Sequence, residues 1–190
     1  MNNSFVADET FEKIDYTVKP LPVADYDNCR FIGCNFSNTD LSAIIFSECE
    51  FEGCNVSLAK LVKTGIKEVK FKDCKLLGLR FDDCSEFLFA ARFEACILNL
   101  SSFHKRKLKK IVFTHCTMHE VEFTEADLSG AIFDDCDLAR AQFADSILEK
   151  ADFTTSYNYS IDPERNKMKK AKFSREGIAG LLDKYDIEVS

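Results

Sequence analysis

Every fifth residue from Phe31 to Phe81 is apolar: Phe31, Phe36, Leu41, Phe46, Phe51, Val56, Leu61, Ile66, Phe71, Leu76 and Phe81, eleven positions without a miss. The register then moves by two, resumes at Leu88, and runs through fourteen more positions to Leu148 and Phe153. A strand repeats its side chains every two residues and a helix every 3.6, so neither alone can use a period of five. A solenoid can. At 190 residues the chain fits one domain with caps at its ends, too short for a multidomain enzyme.

The repeating units read CRFIG, CNFSN, CEFEG, ADLSG, AIFDD, CDLAR and AQFAD. They resemble the pentapeptide-repeat family, whose unit is a small residue, any residue, a central Phe or Leu, and two outward residues. The resemblance covers roughly Cys29 to Thr155. It implies an all-β solenoid, a right-handed quadrilateral β-helix in which four units make one square coil of about twenty residues. The sequence shows that longer period as well: Phe11, Phe31, Phe51 and Phe71 continue after the shift as Phe93, Phe113, Phe133, Phe153 and Phe173. A column on the facing wall reads Leu41, Leu61, Phe81, Phe103, Phe123 and Phe143. Fifteen of the eighteen phenylalanines fall in register, which accounts for so many in a chain with no Trp and five Tyr.

Nine cysteines invite a metal or disulfide reading, yet no CxxC pair exists and the amino terminus, MNNSFVADET, lacks the pattern of a secretory signal. Cys34, Cys54, Cys74, Cys96, Cys116 and Cys136 lie two before a central residue and repeat with the coil, forming one ladder. Cys29 and Cys49 begin another, continued by Val69, Ala91, Ile111, Ala131 and Ala151. The position selects small or modest apolar groups, so the thiols read as reduced, buried hydrophobes, with no metal, cofactor or disulfide. Glu86 and Arg106 break the inward rule. Counted back from Arg106, Glu86 shares the small-residue position of its wall with Ile44, Thr64, Ala126 and Ser146. Coils stack about 4.8 Å apart, so the two are expected to pair as a structural ion pair, unless the shift loops the stretch outward and both are solvated.

The expected divisions are an amino-terminal cap over 1–20, the β-helix over 21–155 with its register shift at 82–87, and a carboxy-terminal cap over 156–190. The shift reads as a bulge at one corner rather than a hinge. In the last segment Ser174 can cap a short helix that places Ile178, Leu181, Leu182 and Tyr185 on one face, with Ile187 and Val189 as a closing strand. This tail resembles that of the Qnr, MfpA and McbG type of pentapeptide-repeat protein, which implies a homodimer joined through that face; the alternative is a cap without dimerisation.

No catalytic constellation is present: His115 and His119 would sit on successive walls, and no phosphate loop or nucleophile elbow occurs. A non-enzymatic, cytoplasmic protein is expected. The net charge of −7 argues against nucleic-acid binding by bulk electrostatics. The charge is banded: residues 60–110 hold thirteen basic and six acidic residues, and 111–155 ten acidic and two basic. The acidic band comprises Glu120, Glu122, Glu125, Asp127, Asp134, Asp135, Asp137, Asp145, Glu149 and Asp152. The resemblance implies that such a band binds a type II topoisomerase, DNA gyrase or topoisomerase IV, by partial DNA mimicry and protects it from quinolones. The alternative is a general interaction scaffold for another protein, contacted through the basic belt of Lys60, Lys63, Lys67, Lys70, Lys72, Lys75, Arg80, Lys105, Lys107, Lys109 and Lys110.

Overall fold

A computed structural model describes residues 4–87 and 89–187. The chain winds into a four-walled column whose coils pair in parallel with the coils on either side. We call the walls I to IV after the inward residues Phe31, Phe36, Leu41 and Phe46. On wall I, Thr10–Glu12, Arg30–Ile32, Glu50–Glu52, Val69–Lys72, Ala91–Glu94, Val112–Thr114, Ile132–Asp134, Asp152–Phe153 and Lys172–Phe173 form one parallel sheet. On wall IV a shorter sheet joins Ser4–Ala7, Ala24–Asp27, Ile45–Ser47 and Gly65–Lys67. Walls II and III are ladders of single bridges, such as Asn35 to Asn55 and Ser102 to Glu122. Residues 4–16 already pair in register with the next coil, Ser4 with Ala24, Phe11 with Phe31 and Asp15 with Asn35, so they belong to the first coil.

Stacking puts like on like. From Phe11 to Phe173 the nine rings of wall I lie nearly parallel, neighbouring centroids 4.7 to 5.3 Å apart. Phe81, Phe103, Phe123 and Phe143 stack likewise on wall III and meet the first column edge to face, as Phe93 and Phe103 do at 82°. That geometry lets the positive ring edge meet the negative ring face, adding to the area removed from water.

The small inward position has a second requirement that its apolar members conceal. Cys34, Cys54 and Cys74 each donate from Sγ to a carbonyl of the coil before, on Phe11, Phe31 and Phe51, at 3.2 to 3.3 Å. Thr64, Ser146 and Ser156 make the same bond from Oγ to Leu41, Phe123 and Phe133 at 2.6 to 2.8 Å. All nine cysteines are free and buried. Burial pushes the Cys49 and Cys84 thiols up to about 12.

The register shift falls later than the residue pattern suggests. Ser85 N–H still bonds Thr64 O, whereas Val69 already pairs with Ala91. The two extra residues therefore lie within 86–90. Among the described residues wall IV has no bridge between Gly65–Lys67 and Lys107, and the insertion is tied to the coil before it by Ser85 N–H to Thr64 O and Ala90 N–H to Ile66 O, both 2.9 Å.

The carboxy-terminal segment presses on the last coil as 3-10 turns, Glu176–Leu181 and Asp183–Tyr185, so the expected short capping helix is of the 3-10 kind. A Cβ at Gly177 would strike the Tyr159 hydroxyl, and one at Gly180 the Tyr159 carbonyl. Ser174 does cap the first turn, its Oγ accepting the Gly177 N–H at 2.9 Å. Ile187 lies outside any strand, and Val189 lies outside the described residues.

If the ring stack is the core, Phe113→Ala, fully buried between Phe93 and Phe133, loses about 3–5 kcal/mol in urea unfolding. Phe5→Ala, 69 % exposed, stays within about 0.5 kcal/mol of the parent. Equal losses would show that the stack is not what holds the column.

Candidate binding surface

Arg106 is inward, as its ladder requires, and buried. The expected pair with Glu86 does not form. Because the shift lies after Ser85, the residue above Thr64 on this wall is Cys84, which is buried, and Glu86 falls in the insertion and is exposed. The Arg106 guanidinium instead donates to Cys84 O at 3.0 Å and Ser85 O at 2.8 Å, and lies 4.5 Å from the Phe89 ring centroid. Burial pulls it below its ordinary value, and Glu86 is among the weaker charges that push it back. Arg106 thus clasps two carbonyls at the start of the insertion. A better sequence signal was available: Cys84, twenty after Thr64, suits an inward site better than a carboxylate.

The ten acidic residues of 111–155 are spread over all four walls. Asp134 and Asp152 project from wall I, Asp137 from wall II, Glu122 from wall III, and Asp127 from wall IV; Asp135 marks the corner between I and II. Most are paired. Glu120 bridges Arg140 at 2.7 Å, Glu125 bridges Lys105 at 3.4 Å, and Asp127 bridges Lys109 at 3.3 Å. Asp145 meets Arg165 at 3.2 Å and Asp152 meets Lys172 at 2.9 Å. Glu122 lies 3.7 Å from His104, and Glu149 has no ion pair among the described residues. The remaining three gather at one corner without a Lys or Arg bridge among the described residues. Asp134 accepts from the Thr155 hydroxyl, Asp135 meets His115 Nδ1 at 2.9 Å, and Asp137 meets His119 Nε2 at 2.8 Å and Asn158 at 2.9 Å.

At the carboxy end, Ile178 and Tyr185 are about half exposed, whereas Leu181 packs on the core. The four residues do not share one outward face. Lys184 bridges Asp162 and Glu164, and the Tyr185 hydroxyl donates to Glu164 at 3.1 Å, which pins the tail to the column. Among the described residues no group of His, Cys, Asp and Glu is arranged to hold a metal ion, and no helix is long and apolar enough to cross a membrane.

A square parallel solenoid built on five-residue units, with its polar side chains mostly on the outer walls, is the architecture that the repeat pattern implies. The chain belongs to the pentapeptide-repeat family: the family's sequence profile, described as pentapeptide repeat region, matches residues 24–85 and 87–157 and breaks at the insertion. A trypsin-treated form of QnrB1, a plasmid-mediated fluoroquinolone resistance protein, is 20 % identical, with 99 % of this chain and 98 % of that one covered and a TM-score of 0.46. HetL, a pentapeptide-repeat protein involved in heterocyst differentiation regulation from the cyanobacterium Nostoc sp. strain PCC 7120, is 18 % identical, covering 93 % of this chain and 92 % of its own, with a TM-score of 0.38. No curated protein matches the sequence.

Two outcomes test the site. Arg106→Leu leaves two buried carbonyls without a donor and costs about 2–4 kcal/mol, while Glu86→Ala stays within about 0.5 kcal/mol; comparable losses would restore the ion pair.

The second concerns acid. Burial alone raises Asp127, Asp137 and Asp152, but hydrogen bonds from Ser129, His119 and Thr154 outweigh it and hold all three below the ordinary 3.8. Folded values below the unfolded ones give stability that is complete above about pH 5 and fades as pH falls through the folded values. The advantage of the parent's urea midpoint over that of the triple Asn variant should shrink progressively as pH falls below about 5 and go on shrinking below 3.8. A constant difference would contradict the assignment.

Proposed function

We propose that this protein is non-enzymatic and acts by presenting a stiff column to a protein partner, with residues 111–155 standing in partially for duplex DNA on a type II topoisomerase, DNA gyrase or topoisomerase IV. The carrying observation is the corner of Asp134, Asp135 and Asp137. Their partners are hydroxyl, amide and imidazole groups, so their charge is not cancelled by a Lys or Arg. Other carboxylates of the band, such as Glu125, Asp127, Asp145 and Asp152, bridge cations from the adjoining coils.

The density supports the reading. Residues 111–155 span a little over two coils, about 11 Å, over which duplex DNA carries roughly six charges. The segment holds ten acidic and two basic residues. The basic belt of 60–110 works against mimicry over the whole rod, so the proposed contact is local. A dimer through the carboxy-terminal segment, where Ile178 and Tyr185 are exposed, would lengthen the acidic surface.

Added at micromolar concentration, the protein should relieve ciprofloxacin inhibition in a gyrase supercoiling assay. Asp134→Lys, Asp135→Lys and Asp137→Lys together should abolish relief while circular dichroism stays that of the parent. No relief by the parent protein would overturn the topoisomerase reading and leave a scaffold for another partner.

A further inference from the structure

Along much of the outer surface a charge on one coil faces its opposite on the next. On wall I, Arg30 meets Glu50 at 3.4 Å and Glu50 meets Lys70 at 3.2 Å. At the insertion the alternation fails: the residue directly opposite Lys70 in the ladder is Arg92. Like charges facing each other across a ladder destabilise it, and of the two only Lys70 has carboxylate partners among the described residues, Glu50 and Glu94.

Around the same corner, where wall IV passes into wall I, the surface sinks into a depression of about 470 Å³ that spans three coils. Five cations line it: Lys70, Arg92, Lys107, Lys109 and Lys110. Lys70 is engaged by Glu50 and Glu94, and Lys109 by Asp127. Arg92, Lys107 and Lys110 have no ion pair among the described residues. A single carboxylate, Glu68, stands at the rim. The rest of the lining is apolar: the half-buried ring of Phe89, exposed Ala90 and half-buried Val112 face the depression, over buried Val69, Ala91 and Ile111.

Concentrated positive charge above an apolar floor, in a volume typical of small-molecule sites, selects a ligand with two unlike ends. We propose that this corner binds a small, multiply phosphorylated organic ligand of nucleoside di- or triphosphate size. Its phosphate oxygens take the hydrogen bonds of Arg92, Lys107 and Lys110, the planar guanidinium being suited to two oxygens at once. Its flat organic part lies against Phe89 and the small apolar floor. The bound phosphates also relieve the repulsion between Lys70 and Arg92. The site exists because the two extra residues displace Phe89 and Ala90 from the square path. It is independent of the acidic corner and of any topoisomerase.

Isothermal titration of the full chain with ATP, and separately with pyrophosphate, tests the proposal. ATP should bind with a submillimolar Kd. The triple variant Arg92→Gln, Lys107→Gln and Lys110→Gln should weaken it at least about tenfold. A control removing the same charge elsewhere, Lys167→Gln, Lys169→Gln and Lys170→Gln, should change it less than about twofold. Phe89→Ala should weaken ATP and leave pyrophosphate unchanged, which separates an organic phosphate from the free anion. Removing like charges leaves the pocket variant at least as stable in urea as the parent, so a loss of binding is not a loss of fold. The proposal is overturned if neither probe binds below about 5 mM, if both triple variants lose affinity equally, if Phe89→Ala weakens neither probe, or if only a single-stranded oligonucleotide binds.

Discussion

Hydrogen bonds along the column axis hold each residue against the one a coil away, and every other regularity in the molecule follows from them. Lys13 N–H reaches Ile32 O, Gly33 reaches Glu52 and Gly53 reaches Lys72, so the same corner is rebuilt coil after coil. Once backbone positions are locked this way, side chains have no choice of neighbour. A ring must stack on a ring and a charge must face whatever charge the next coil brings. The corners add a local demand, left-handed backbone at one residue per unit, met even by Leu58 and Leu100 at φ 58° and 61°. A lone leucine would avoid that conformation; here the inter-coil bonds on both sides impose it.

The thiol ladder shows how two demands meet at one position. The site beside the central ring must be small, because the facing walls already fill the interior, and it sits next to a carbonyl of the preceding coil that can accept another bond. Cysteine satisfies both, and so do serine and threonine. When the ladder that runs through Cys136 reaches its next coil, Ser156 takes over and donates to Phe133 O at 2.6 Å. Alanine at Ala131 or Ala151 satisfies only the size requirement.

The core was legible because periodicity survives without coordinates: both phenylalanine columns stand where counting by twenty places them. The insertion was not. A two-residue slip between Phe81 and Leu88 leaves the pattern intact on either side, so counting backward puts Glu86 on the wall and counting forward puts Cys84 there. Polarity decides for Cys84, and Arg106 then needs acceptors, which the carbonyls of Cys84 and Ser85 supply. In the tail, the short helix was readable from the spacing of Ile178, Leu181, Leu182 and Tyr185, but its 3-10 form and the close approach of Gly177 and Gly180 to Tyr159 were not. Charge bands were readable as sums; which carboxylate remains without a cation depends on the reach of side chains across coils, as with Lys70 touching both Glu50 and Glu94.

On such a scaffold, groups left without a stacking partner gather where the repeat is imperfect. A faultless column covers its rings, satisfies its carbonyls and cancels many of its charges by the same stacking, leaving a partner little that is energetically unsatisfied. The acidic corner departs from this by setting Asp134, Asp135 and Asp137 beside hydroxyl, amide and imidazole groups in place of cations. The insertion departs further: beside it the inward Arg106 spends its guanidinium on the carbonyls of Cys84 and Ser85. Outside, Arg92, Lys107 and Lys110 line one depression without an ion pair among the described residues, whereas Lys70 and Lys109 beside them are held by Glu50, Glu94 and Asp127. The stacking that cancels charge along the rest of the column leaves these three cations uncancelled, and they are the groups on this corner with most to gain from an anion.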